Sequence, residues 1–103
     1  MRRIRILKFS AVREFFEQHP DSETGLRTWY KAVKEADWRN FADLSQTFAK
    51  ADIYKNCTIF DIAGNKYRLI AWVNYKAHQV FIRHILTHKD YGKDKWKTEC
   101  GPG

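Results

Sequence analysis

Two cysteines, two prolines and a single methionine occur in 103 residues, and what is scarce here excludes as much as what is abundant indicates. Cys57 and Cys100 form, by number and spacing, neither a disulfide framework nor a zinc pattern, so the chain reads as a protein of a reducing, cytoplasmic setting, with Cys57 a small hydrophobe at a strand start. No apolar run approaches the length that spans a bilayer. The start Met1-Arg2-Arg3-Ile4-Arg5-Ile6-Leu7 is charged, but no long apolar segment or small-residue cleavage site follows it. A soluble, intracellular protein without membrane contact is expected. Missing too are a Gly-rich phosphate loop, an HExxH pair and paired cysteine ligands. Asp61 and Asp90 stand alone, so two-metal phosphoryl chemistry has no acidic pair to use. Neither a metal nor another cofactor is expected.

Acidic residues are outnumbered, 12 against 19 Lys and Arg, which leaves a formal charge of +7 and a pI near 9.6. Such a surface favours an anionic partner. Nucleic acid ranks ahead of membrane because the cations are interleaved with strands and do not line one amphipathic helix. Hydrophobic content of 44% with 16% aromatics is enough to fold. The length suits one domain, 1–103, with residues from about 92 to 103 as a flexible basic tail.

Along the chain, Arg3 to Phe9 alternates as a first strand. Ser10 then offers a cap to a helix bearing Val12, Phe15, Phe16 and His19, which Pro20 stops. Asp21 or Ser22 can cap a second helix with Leu26, Trp29, Tyr30 and Val33 on one stripe, locally weakened by Gly25. Asn40 with Asp43 three residues on is a capping arrangement for a third helix carrying Leu44 and Phe48. Strands follow at 52–55, 58–63, 66–75 and 79–86, the last two rich in β-branched and aromatic residues. Helices followed by a β-meander define an α+β domain: an antiparallel-dominated sheet with the N-terminal helices packed on one face.

The register of that meander sorts its charges. A loop centred on Lys76-Ala77 sets Val73 against Val80, Ala71 against Ile82 and Leu69 against His84 on one face. The other face then holds Trp72 with Phe81, Ile70 with Arg83, Arg68 with Ile85 and Lys66 with Thr87. A turn at Gly64-Asn65 sets Ile62 against Tyr67, Phe60 against Leu69 and Asp61 against Arg68. Arg68 and Arg83 become diagonal neighbours, roughly 7–8 Å apart, on one basic surface. His84 falls on the apolar face as a hydrogen-bonded core histidine. A slip of one residue would reverse these assignments.

The blocks Trp29-Tyr30-Lys31-Ala32-Val33, Ala36-Asp37-Trp38, Gly64-Asn65-Lys66-Tyr67-Arg68-Leu69, Val80-Phe81-Ile82-Arg83 and Thr87-His88-Lys89-Asp90-Tyr91 together resemble the HigB-type toxins of bacterial toxin–antitoxin systems, relatives of RelE. The resemblance implies a RelE-like microbial ribonuclease fold and metal-free cleavage of messenger RNA on the ribosome. It also implies a cognate antitoxin, usually a helix-turn-helix protein through which operator DNA is reached. Cleavage through the 2′-OH needs proton removal, stabilisation of an anionic phosphate and protonation of the leaving oxygen. Arg68 and Arg83 suit the phosphate, His88 the proton transfer, and Tyr91 either a proton exchange or base stacking. Asn65, Lys66, Lys93 and Lys95 are the accompanying RNA- or phosphate-binding candidates, the lysines with ribosomal RNA in reach.

Each has a plainer reading. Arg68 can simply pair with Asp61, Lys66 beside a turn is usually a solvated charge, and Tyr91 can be packing. Arg83 has no acid opposite it. Two non-enzymatic functions compete: an RNA- or ribosome-binding module that blocks translation by occupancy, and a basic module that binds an acidic protein.

Overall fold

Strand pairing organises the molecule, and the computed structural model describes it over residues 3–101. In chain order it contains β1 (Arg5–Leu7), α1 (Ser10–Gln18), a 3-10 turn (Pro20–Ser22), α2 (Glu23–Glu35), α3 (Phe41–Thr47), β2 (Asp52–Tyr54), β3 (Cys57–Ile62), β4 (Tyr67–Asn74), β5 (Gln79–Thr87), α4 (His88–Gly92) and a 3-10 helix (Lys95–Cys100). The strands form one sheet in the order β1-β5-β4-β3-β2; β1 runs parallel to β5 and the other neighbours are antiparallel. This is the expected α+β arrangement. No helix among the described residues is long and apolar enough to cross a membrane.

The helices pack their apolar stripes on one sheet face. Val12, Leu26, Trp29, Val33, Trp38 and Leu44 meet Phe60, Ile62, Leu69, Ala71, Val80 and Ile82 in the main core. Helix starts vary in how closely they follow the sequence expectation. Asn40 accepts a hydrogen bond from Asp43 N at 2.9 Å, as expected. Ser10 does not cap α1: Phe9 occupies that position without a side-chain bond. The Ser22 hydroxyl turns back to donate to His19 O at 2.7 Å, so no side chain caps α2. Gly25 has a packing reason inside α2, because a Cβ there would lie 2.8 Å from Ala63 N. The helix weakens locally and in exchange sits directly on the β3–β4 turn.

That turn uses positive φ at three successive residues, Ala63, Gly64 and Asn65. It sets Ile62, Phe60 and Asp61 against Tyr67, Leu69 and Arg68 as expected. In the next hairpin the expected pairs hold from Asn74–Gln79 to Ala71–Ile82 and then fail. A β-bulge between Ile70 and Ala71 brings His84 opposite Ile70, Ile85 opposite Leu69 and Leu86 opposite Arg68. One strand carries an extra residue, so everything beyond it changes face. His84 is therefore not a core histidine, and Ile85 takes its place against the helices.

Two further expectations are corrected. Residues from 92 onward are not a flexible tail throughout: Trp96 and Cys100 are 4% and 0% exposed and pack with Cys57, Ile59 and Ile70 on the face away from the helices. Cys57 and Cys100 form a disulfide with Cα atoms 5.1 Å apart, so the reading of Cys57 as a plain small hydrophobe fails, and cysteine usage no longer argues for a reducing setting. Spacing along the chain carried no sign of it; the bond exists because the final 3-10 helix folds back over β3. Met1, Arg2, Pro102 and Gly103, including the end of the expected tail, lie outside the described residues.

Candidate active site

The face opposite the helices carries the charged groups, and they gather into two clusters. The first is centred on Arg68. Its Nε lies 3.1 Å from Asp61 Oδ1, with the two side chains 14% and 22% exposed. Nη1 donates to Asn65 O at 2.8 Å, and the guanidinium lies 5.1 Å from the centroid of the Tyr91 ring. Tyr91 in turn stacks on Trp96, centroids 5.2 Å apart, while Trp96 Nε1 donates to Tyr91 O at 3.0 Å. The expected pairing of Arg68 with Asp61 is thus real, and the arginine also supports an aromatic ring.

The second cluster is a product of the bulge, which leaves Arg83 and His84, consecutive in sequence, on the same side of the sheet. Arg83 Nη2 is 2.6 Å from Glu99 Oε1, and His84 Nε2 contacts Glu99 Oε2. The Arg83 guanidinium lies 4.3 Å from the Trp72 ring centroid and 5.1 Å from that of Phe81, a placement in which cation–π attraction adds to the ion pair. Its Nε is buried and has no hydrogen-bond partner among the described residues. Trp72 is 37% exposed and donates from Nε1 to Glu99 O at 3.2 Å. The Arg83 hydrogen bond, followed by that of His84, holds the Glu99 carboxyl below its ordinary range. Glu99 is consequently an anion at neutral pH.

An open groove runs beside this cluster, lined by His84, Leu86, Asp90, Lys93, Lys95 and Glu99 among others. Two of the expected phosphate-binding lysines therefore do meet at one groove, Lys93 while also 3.6 Å from Asp90 Oδ1. His88 is exposed at the first residue of α4, whose N-terminus is capped by Thr87 Oγ1 accepting from Asp90 N at 3.1 Å. Among the described residues, no hydrogen bond, ion pair or ring contact joins His88 to either arginine. Lys66 departs from expectation: it reaches to the helical side and pairs with Asp21, which also accepts from the Tyr67 hydroxyl at 2.5 Å. Those two hydrogen bonds lower the Asp21 pKa, and the same contact raises that of Lys66. Asn65 contributes its carbonyl to Arg68, and among the described residues no contact places its amide at the groove.

Arg68 and Arg83 share a face, as expected, but His84 now stands diagonal to Arg68 where Arg83 was placed. Sequence reasoning missed His84, Glu99 and Trp72. For Trp72 a signal was available, since it shared its predicted face with Phe81 and Arg83. For Glu99 there was none. Among the described residues no group of three or more His, Cys, Asp or Glu side chains is placed to hold a metal ion. Guanidinium, imidazole and carboxylate groups at a groove can bind an oxyanion and move protons.

The profile of the HigB toxin family, the RelE-like toxic component of a toxin–antitoxin system, matches residues 22–94. The chain belongs to that family. Among its relatives, the mRNA interferase HigB of Escherichia coli O6:H1 (strain CFT073) is 26% identical over 91 residues, covering 85% of this chain and 88% of the relative. The mRNA interferase HigB of Shigella flexneri is 25% identical over 84 residues, covering 79% and 81%. The region matched to the HigB family contains both arginines, His84, His88, Tyr91 and Lys93. It ends before Lys95, Glu99 and Cys100. A HigB-family toxin has a cognate antitoxin as its partner.

Proposed function

We propose that this HigB-family toxin is an endoribonuclease, an mRNA interferase that cuts messenger RNA on the translating ribosome and so inhibits translation. The observation that carries the reading is the gathering of cations on the sheet face away from the helices, where Arg83 on β5 holds Glu99 at the edge of a groove lined by Lys93 and Lys95 while Arg68 holds Tyr91. In the reaction a base takes the 2′-OH proton, the 2′ oxygen attacks phosphorus, and the bond to the 5′ oxygen breaks as that oxygen is protonated. A 2′,3′-cyclic phosphate and a 5′-hydroxyl result. Arg83 neutralises the phosphate, Lys93 and Lys95 guide the backbone, and His88 carries proton transfer. Arg68, fixed between Asp61 and the Asn65 carbonyl, adds positive potential and orients Tyr91 for stacking on a base or for proton exchange. We read the whole chain as one such domain, working in the cytoplasm, where translation takes place. Its antitoxin we take to be a helix-turn-helix repressor that links the toxin to operator DNA.

A second reading has one observation in its favour. Both arginines are engaged by carboxylates, Asp61 and Glu99, which suits a protein that blocks the ribosome by occupancy alone. Primer extension along a translated message separates the two: discrete breaks within codons establish cleavage, and translation arrest without breaks establishes occupancy. In single-turnover cleavage on programmed ribosomes, His88→Gln should be slower by about 10²–10⁴-fold. A rate equal to wild type removes His88 from the mechanism.

A further inference from the structure

The segment beyond the family-matched residues does more than fill out the sheet. Lys95–Cys100 crosses the face that carries Arg83 and His84 and is held at several points. Trp96 is buried among Ile59, Ile70 and Tyr54. Cys100 is bonded to Cys57 at the start of β3, and its carbonyl accepts from Asn56 N at 3.0 Å. Trp72 Nε1 holds the Glu99 carbonyl. Among these anchors the Glu99 carboxylate divides its oxygens between Arg83 and His84. A carboxylate and a phosphodiester present similar pairs of oxygens to a guanidinium fork. Inside the protein, Arg83 already grips the kind of anion that cleavage requires it to grip in RNA.

We propose that Lys95–Cys100 is a redox-latched strap whose Glu99 occupies the phosphate seat formed by Arg83 and His84, so that the disulfide form is restrained and the dithiol form receives RNA. This rests on Arg83 being the phosphate ligand proposed above. The disulfide ties Cys100, adjacent to Glu99, to the sheet, which keeps the carboxylate at a high effective concentration that an incoming phosphate must overcome. A dithiol reductant supplies two electrons and two protons: the sulfur–sulfur bond breaks, Cys57 and Cys100 become thiols, and the reductant becomes a disulfide. Both cysteines are buried, so the reductant reaches the sulfurs only through a local opening around the bond, and reduction then releases the strap.

Fluorescence anisotropy with a short single-stranded 2′-O-methyl oligoribonucleotide, which cannot be cut through the 2′ oxygen, tests the strap on the full chain. Reduced wild type, and Glu99→Gln with its disulfide intact, should each bind about tenfold or more tightly than oxidised wild type, the scale of one charge-assisted contact. Arg83→Ala should abolish that gain. Equal affinity of oxidised wild type, reduced wild type and oxidised Glu99→Gln overturns the strap, and so does weaker binding by Glu99→Gln. Unfolding on reduction, seen by circular dichroism, overturns the redox latch, and the oxidised Glu99→Gln comparison then decides only whether Glu99 holds the seat. Loss of binding in Arg83→Ala without any redox or Glu99 effect leaves the nuclease reading standing and removes only the strap. Reduced Arg83→Ala binding as tightly as reduced wild type overturns the phosphate seat, and the strap with it.

Discussion

The two faces of one five-stranded sheet are made by the same strands and have opposite constitutions. Toward the helices, Phe60, Ile62, Leu69, Ala71, Val80 and Ile82 meet the helices' apolar stripes. Toward the other side, a small cluster of Cys57, Ile59, Ile70, Trp96 and Cys100 is bordered by Arg68, Asp61, Arg83, His84 and Glu99. The first face can be closed because its side chains are almost all apolar, the exceptions among the described residues including the buried Trp29 Nε1 and the Tyr67 hydroxyl that donates to Asp21. The second must stay partly open, since charges that are to meet a ligand cannot be sealed in without a large desolvation penalty. Stability and chemistry are thus divided between the faces, and the bulge in β5 sets the boundary where a residue passes from one to the other.

The sharpest way to break this division is to damage the closed face. Phe60→Ala, at a position with no exposure, should lower unfolding free energy by about 3–5 kcal/mol in denaturant titration. Opening the strap should cost a comparable amount or somewhat less. With the bonded cysteines 43 positions apart in sequence, reduction or Cys57→Ser with Cys100→Ser should cost about 4 kcal/mol by loop-closure entropy, and native geometry commonly reduces that figure. Arg83→Ala comes next: cleavage of a translated message should fall about 10²–10³-fold, while the denaturation midpoint moves far less than for Phe60→Ala. A similar fall in both would place Arg83 among the structural residues. Asn40→Ala should cost about 1 kcal/mol through the lost cap of α3.

The smallest effect is on pH. Asp21, Asp43 and Glu99 all have folded pKa values lowered from their ordinary ones, by Lys66 and Tyr67, by the Arg39 backbone N–H, and by Arg83 respectively. Their contribution is present above the ordinary carboxylate range and is lost as pH falls through the lowered values. The raised values of Lys66 and Tyr67, both owed first to Asp21, act in the opposite direction. Their contribution is full below the ordinary values and is lost at alkaline pH. Denaturant midpoints should form a plateau between these limbs, and Asp21→Asn should flatten both ends.

Much of this was legible from residue order. Alternation in β3 and β4 named the helix-facing residues, Gly64-Asn65 set the first hairpin, and Asn40 with Asp43 marked a helix start. These rest on interactions between residues a few positions apart, which local spacing encodes. Arg68 opposite Asp61 was likewise readable, because a short turn leaves little freedom of register. The second hairpin was readable only as far as the bulge. Past Ile82 one unpaired residue reversed the assignment, and His84 could not be distinguished from a core histidine.

Sequence by itself therefore determined the α+β order of elements, the basic surface, the family resemblance and the place of both arginines on a common face. Only the tertiary fold decided that Arg83 and His84 stand together, that Lys66 leaves the basic face for Asp21, and that Glu99 and Cys100 return from beyond the family-matched residues to close over it. The physical reason is range. Period and turn chemistry act between near neighbours, whereas a bulge, a disulfide and an ion pair between distant segments depend on which surfaces remain to be covered once the strands have paired.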